Sequence, residues 1–168
     1  RDELLANLLK YSMVFFAVLA LVVAVIGLSV RPLADRSPQR ISFANDAAVS
    51  DGRIAGSGQL LTDRIGYYRE RFVVTGRDLH VAPLVNGPTS RDLRYFVEVP
   101  QGSTDEASRQ QVSGILRIRA LPGGLRQLYE NAGYDVRQPV YMIFASSRSA
   151  SWPYFSAAAD FGLLALLL

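Results

Sequence analysis

Residues 11–30, YSMVFFAVLALVVAVIGLSV, carry no charge, and about twenty apolar residues is the length a helix needs to cross the hydrocarbon core of a bilayer. Ser12, Gly27 and Ser29 are the interruptions. A helix accommodates each of them, because Ser can bond back to a carbonyl one turn earlier and Gly lets a second helix approach closely. A cleaved secretory signal has a shorter apolar core and ends at a small-x-small site. The flank Leu28-Ser29-Val30-Arg31-Pro32 offers no such site, so a retained membrane-spanning helix is expected.

Upstream, Leu4, Leu5, Leu8 and Leu9 fall at helical spacing, so the helix is expected to begin before the span and to lie partly in the interface. Arg1 and Lys10 precede the span, and Arg31, Arg36 and Arg40 follow it. Those charges favour neither orientation firmly. A long folded region follows, however, and long domains are translocated largely regardless of their charge. The N-terminus is therefore expected in the cytoplasm and the domain outside it. The bias of Arg over Lys fits a high-GC bacterial gene, so the membrane expected is a bacterial inner membrane, with the domain on its periplasmic side, rather than a mitochondrial inner membrane.

Residues 31–51, with Pro32, Pro38 and three Arg, read as an extended juxtamembrane linker whose arginines anchor near headgroups. From there the pattern changes to short β-branched and aromatic runs separated by Gly, Pro, Asn and Asp. Strands are expected at 53–61, 67–75, 79–85, 93–99, 112–121 and 140–145, the first two joined as a hairpin around 63–66. In the fourth run Leu93, Tyr95, Val97 and Val99 alternate with Arg94, Phe96 and Glu98, the pattern of a strand with one buried side. Arg117 and Arg119 are expected on the wet face of the fifth. Thr104 before Asp105 and Glu106 suggests a loop or a single helical turn. A firmer helix follows Leu121, with Leu125, Leu128 and Tyr129 on one face and Gly133 as its C-cap.

The stretch WPYFSAAADFGLLALLL, residues 152–168, places Trp152 and Tyr154 where an aromatic belt would and turns wholly apolar from Phe161. It reads as a second crossing, expected to be incomplete because it stops within the apolar run. The fold class expected is therefore a membrane protein, α+β. Two transmembrane helices, at residues 1–30 and 151–168, flank a small β-rich extracytoplasmic domain at 52–150 with one covering helix. Asp160 interrupts the second span, and a carboxylate there is costly unless it faces protein or water. Either it faces another subunit, or it lies shallow, about 12 Å along the helix from Trp152.

The chemistry-bearing residues are few. The net charge is +3, but the arginines are interspersed with acids, so no nucleic-acid partner is expected. Cys is absent and His80 is the single His, which leaves no thiolate nucleophile and no imidazole metal set. No cofactor, metal or catalytic residue is assigned, and the protein is not expected to be an enzyme. Gly56-Ser57-Gly58 reads as a bulge or close backbone contact. The remaining candidates are partner-binding: Gly27 and Ser29 as small contacts between spans, Asp160 as a polar one, and Tyr67, Tyr68, Arg69 and Arg71 as an aromatic and cationic surface. Alternatively, those four are a strand with ordinary packing and cross-strand charge pairs.

The arrangement of spans and domain resembles the Surf-one (Surfeit-locus-one) family of cytochrome oxidase assembly proteins. Val112-Ser113-Gly114-Ile115-Leu116-Arg117 is similar to that family's V-x-G-x-L-R strand, and Phe161-Gly162-Leu163 to the F-G-L of its last helix. The family's L-G-x-W-Q segment is replaced here by Leu28-Ser29-Val30-Arg31-Pro32, its R-G-W strand motif is absent, and no His precedes the second span, so haem handling does not carry over. The resemblance implies a non-enzymatic accessory subunit or assembly factor, with the bilayer and the integral membrane subunits of a larger, respiratory complex as its partners. The alternative is a membrane-anchored ligand-binding or sensing module using the 67–71 surface.

Overall fold

The computed structural model describes residues 2–41, 43, 49–100 and 111–168. The expected turn at Thr104, Asp105 and Glu106 lies outside them. A 28-residue helix, α1 (Asp2–Ser29), is about 42 Å long at 1.5 Å per residue. It continues unbroken from the leucine-rich start through the apolar stretch and gives way to a short 3-10 segment, Arg31–Asp35, with Pro32 in its first turn. Among the described residues α1 is the one helix long and apolar enough to cross a membrane.

The described residues then build an eight-stranded mixed sheet from β1 (Gln39–Arg40), β2 (Gly52–Ser57), β3 (Gln59–Leu60), β4 (Gly66–Arg71), β5 (Gly76–Val85), β6 (Asp92–Glu98), β7 (Gln111–Arg119) and β8 (Asp135–Phe144). The order is β1-β2-β7-β8-β6-β5-β3, with β4 continuing the outer side of β5. Pairs β1·β2 and β6·β8 are parallel and the others antiparallel. Helix α2 (Gly123–Asn131) covers one face, and α3 (Ser147–Leu167) leaves directly from the end of β8.

Several expectations change at this level. The run 53–61 is two strands: β2 pairs with β7 and β3 with β5, so they lie at opposite sides of the sheet. No hairpin forms around 63–66; the tight hairpin is β4–β5, with Arg71 opposite Gly76. The supposed linker contributes buried Leu33 and the edge strand β1. Both faces of the sheet are covered, which is why Phe96, assigned to the wet side of its strand, is fully buried. It packs with Leu125 and Tyr129 of α2 in one core cluster, whereas Tyr95 belongs to a second cluster with Ile54, Leu84 and Tyr141. Gly133 does end α2, at φ +84°, a conformation glycine adopts without steric cost.

The glycine of the V-x-G-x-L-R run has a packing reason. A Cβ on Gly114 would collide with the Phe144 carbonyl and the Ile143 side chain of β8. The same core also reaches the segments that join the helices to the sheet. Val30 and Leu33 after α1, and Ala150 of α3, belong to the same buried cluster as Phe96, Met142 and Phe144, with Tyr154 packed against it. Both helices thus enter the domain through its hydrophobic core.

Candidate functional site

Where the start of α3 meets the β4–β5 hairpin, a group of partly buried charges comes together. Glu70 on β4 sits between two arginines, with Arg119 Nη1 at 2.7 Å and Arg77 Nε and Nη2 at 2.8 Å. All three side chains are at least three-quarters buried. Arg77 also donates to Ser149 Oγ at 2.9 Å, and Ser149 Oγ donates to Glu98. Arg77 Nη2 has no aligned hydrogen bond despite its closeness to Glu70, so its contact there is coulombic. The guanidinium lies over the Trp152 ring, 4.7 Å from the centroid, where the ring face offers a further favourable charge contact. Arg117 pairs with Asp51 at 2.9 Å and donates to Tyr154 Oη at 2.7 Å. The expectation that Arg117 and Arg119 face water fails for this reason: Arg117 is held by Asp51 and by Tyr154 of α3, and Arg119 by Glu70 of β4.

Helices α1 and α3 pack side by side and antiparallel. Gly27 lies against Tyr154 and Phe155 so closely that a Cβ would stand 2.9 Å from Tyr154 Cβ. Further along, Phe16 stacks on Phe161 at 6.3 Å. Gly27 is therefore a small contact between α1 and α3. Ser29 is not: it is exposed, and its hydroxyl donates to Ile26 O at 2.6 Å within its own helix.

Asp160 is 2 % exposed and finds its partners inside the chain. Its carboxylate accepts from Val74 N (2.9 Å), Thr75 N (3.2 Å) and Thr75 Oγ1 (3.2 Å) at the tip of the β4–β5 hairpin. The group expected to face another subunit is thus occupied by the chain's own turn. Nothing in the sequence pairs residues so far apart, since residues 72–75 read there as the end of a strand.

The 67–71 stretch divides by strand alternation. Tyr67, Arg69 and Arg71 point outward and are exposed, whereas Tyr68 and Glu70 point inward. Tyr68 packs against the core, and burial, reinforced by the Glu70 charge, pushes its phenol well above its ordinary value. Tyr67 meets the His80 ring edge-on at 4.6 Å, and Arg69 lies 3.8 Å from Asp78, an ordinary cross-strand pair. Tyr68 is therefore removed from the proposed surface, leaving Tyr67, Arg69 and Arg71.

Beside the α1–α3 junction an open cavity of about 610 Å³ is lined by Arg31, Ser147, Arg148, Ser151, Trp152 and Phe155. Two arginines and two aromatic rings line it, with Arg31 over the Phe155 ring, a combination that suits an anionic group carrying an apolar tail. Among the described residues no group of three or more His, Asp or Glu is placed to hold a metal ion. Comparison of the chain with protein-family models, with curated proteins and with solved structures finds no match.

Proposed function

We propose that the protein is a two-span membrane subunit whose β-rich domain, outside the cytoplasm, docks on the integral subunits of a larger complex as an accessory subunit or assembly factor. The observation that carries this reading is the shared core. Val30, Leu33 and Ala150 are buried with the sheet residues, so helices and domain move as one body and offer a continuous surface. A domain that worked independently of its anchor would need only a flexible tether.

The second span is part of the same reading. Helix α3 is diluted in hydropathy by Ser151, Ser156 and Asp160, but all three are buried and so are turned away from lipid. Leu163, Leu166, Leu167 and Leu168 are exposed. The face α3 presents outward is thus more apolar than its composition suggests, and α3 lies along α1. A respiratory oxidase is the complex that the Surf-one resemblance suggests.

Purification from native membranes in mild detergent tests this. Co-migration with integral membrane subunits is expected, and recovery solely as a free monomer would count against it. A ligand-binding module is the second reading, favoured by the Arg31–Arg148 cavity. Stabilisation of the detergent-solubilised chain by anionic lipids, quinones or haems, without co-migrating subunits, would favour it instead.

A further inference from the structure

We infer that the tip of the β4–β5 hairpin is a third membrane-inserted element, and that Asp160 is retained in α3 to satisfy its backbone there. This rests on the reading that α1 and α3 lie in the bilayer.

Three neighbouring apolar residues form the tip. Phe72, Val73 and Val74 are 40 %, 63 % and 69 % exposed, and none of them belongs to either core cluster. The hairpin runs down α3. Arg77 touches Ser149 in the first turn, whereas Thr75 reaches Asp160, about 16 Å further along the helix axis. The next residue, Phe161, stacks on Phe16 inside the apolar run of α1. The tip is therefore level with the hydrocarbon-facing part of the helix pair, and its apolar surface continues theirs. Arg69 and Arg71, exposed on β4 just before the tip, stand where long cationic side chains reach headgroups.

The hydrogen bonding points the same way. A turn in water can leave its amides to solvent, but non-helical backbone at membrane depth has to be satisfied by protein. Phe72 N donates to Thr75 O at 2.9 Å, while Val74 N, Thr75 N and Thr75 Oγ1 all donate to the Asp160 carboxylate. Water can serve such amides wherever it reaches them; where it is excluded, a buried carboxylate is the acceptor that satisfies them. Lipid is thus favoured as the occupant of this surface over a protein partner.

The chain has no Cys, so a single spin label reports one site. Val73→Cys and Val74→Cys, with Val18→Cys and exposed Asn86→Cys as references, are labelled in the full chain. Each is reconstituted in nanodiscs of phosphatidylcholine and phosphatidylglycerol. Collision with oxygen and with a water-soluble nickel chelate is then measured. The expected result is an oxygen-to-nickel ratio at both tip positions close to that of Val18 and several-fold above that of Asn86. Tip ratios matching Asn86 would overturn the inference while leaving the spans intact. Exclusion of both reagents would also overturn it, placing the tip against a second copy of the chain. Nickel access at Val18 would refute the membrane reading of α1, and the inference with it.

Discussion

The Asp160 carboxylate accepts the Val74 amide at 2.9 Å, joining α3 to a turn 86 residues earlier in the chain. That bond and its neighbours at Thr75 are what hold the hairpin tip against the helix. Asp160→Leu should therefore leave the sheet folded but release the tip. Hydrogen exchange at Val74 and Thr75 is expected to accelerate on the order of tenfold or more, with core amides of β7 and β8 unchanged. Unchanged exchange at both amides would show that the carboxylate does not hold the turn.

Gly27 sets the approach of α1 to α3. A Cβ there would stand 2.9 Å from Tyr154 Cβ, whereas a Cβ on Gly162 would meet nothing within 4 Å. Gly27→Val should overpack the contact at about 1–3 kcal/mol and lower the thermal midpoint in detergent. Gly162→Ala should not. Equal midpoints for the two variants would remove Gly27 from the helix contact.

Glu70 neutralises two arginines at once, Arg77 and Arg119. Glu70→Gln leaves Arg77 and Arg119 partly buried without their counter-charge, a loss of about 3 kcal/mol by the usual cost of breaking such a pair. Glu70→Gln combined with Arg119→Met removes one of the stranded charges and should recover part of the loss. A chemical-denaturation series on the single and double variants measures both; a double variant no more stable than the single one would contradict the pairing.

Burial raises the phenols of Tyr68, Tyr95 and Tyr129. Their ordinary value is about 10. Above that pH the unfolded chain has released these protons and the folded chain still holds them, so stability falls as pH rises. Below about pH 10 both states are protonated and the contribution is fully present. Ultraviolet titration should show these three phenols ionising above the ordinary tyrosine range, and the midpoint for unfolding should drop on the alkaline side of pH 10. Tyr129 also donates to Arg64 O at 2.8 Å, so Tyr129→Phe should cost about 1 kcal/mol at neutral pH.

Much of the architecture could be read from one-dimensional patterns. The long apolar helix α1, α2 with its Gly133 cap and the central strands follow from hydrophobic length and alternation, which are local properties. What escaped was relational. Phe96 alternates with polar residues, yet it is buried, because a second layer covers that face and no local pattern records a distant layer. Arg117 and Arg119 look solvated until the fold brings Tyr154 of α3 and Glu70 of β4 against them. Asp160 was noticeable in the sequence as a carboxylate in an apolar run, but its partner was not, since backbone amides have no sequence signature. Tyr68 was grouped with Tyr67 by adjacency, although the two-residue period of a strand places neighbours on opposite faces.

The proposed docking role requires α1 and α3 to cross the membrane together, with the domain on the far side from Leu4 and Leu166. Single-cysteine variants Leu4→Cys, Thr89→Cys and Leu166→Cys, all at exposed positions, can be labelled with a membrane-impermeant maleimide in spheroplasts before and after permeabilisation. Thr89→Cys should label at once, and Leu4→Cys and Leu166→Cys only after permeabilisation. Labelling of Leu166→Cys together with Thr89→Cys in sealed spheroplasts would contradict the paired crossing.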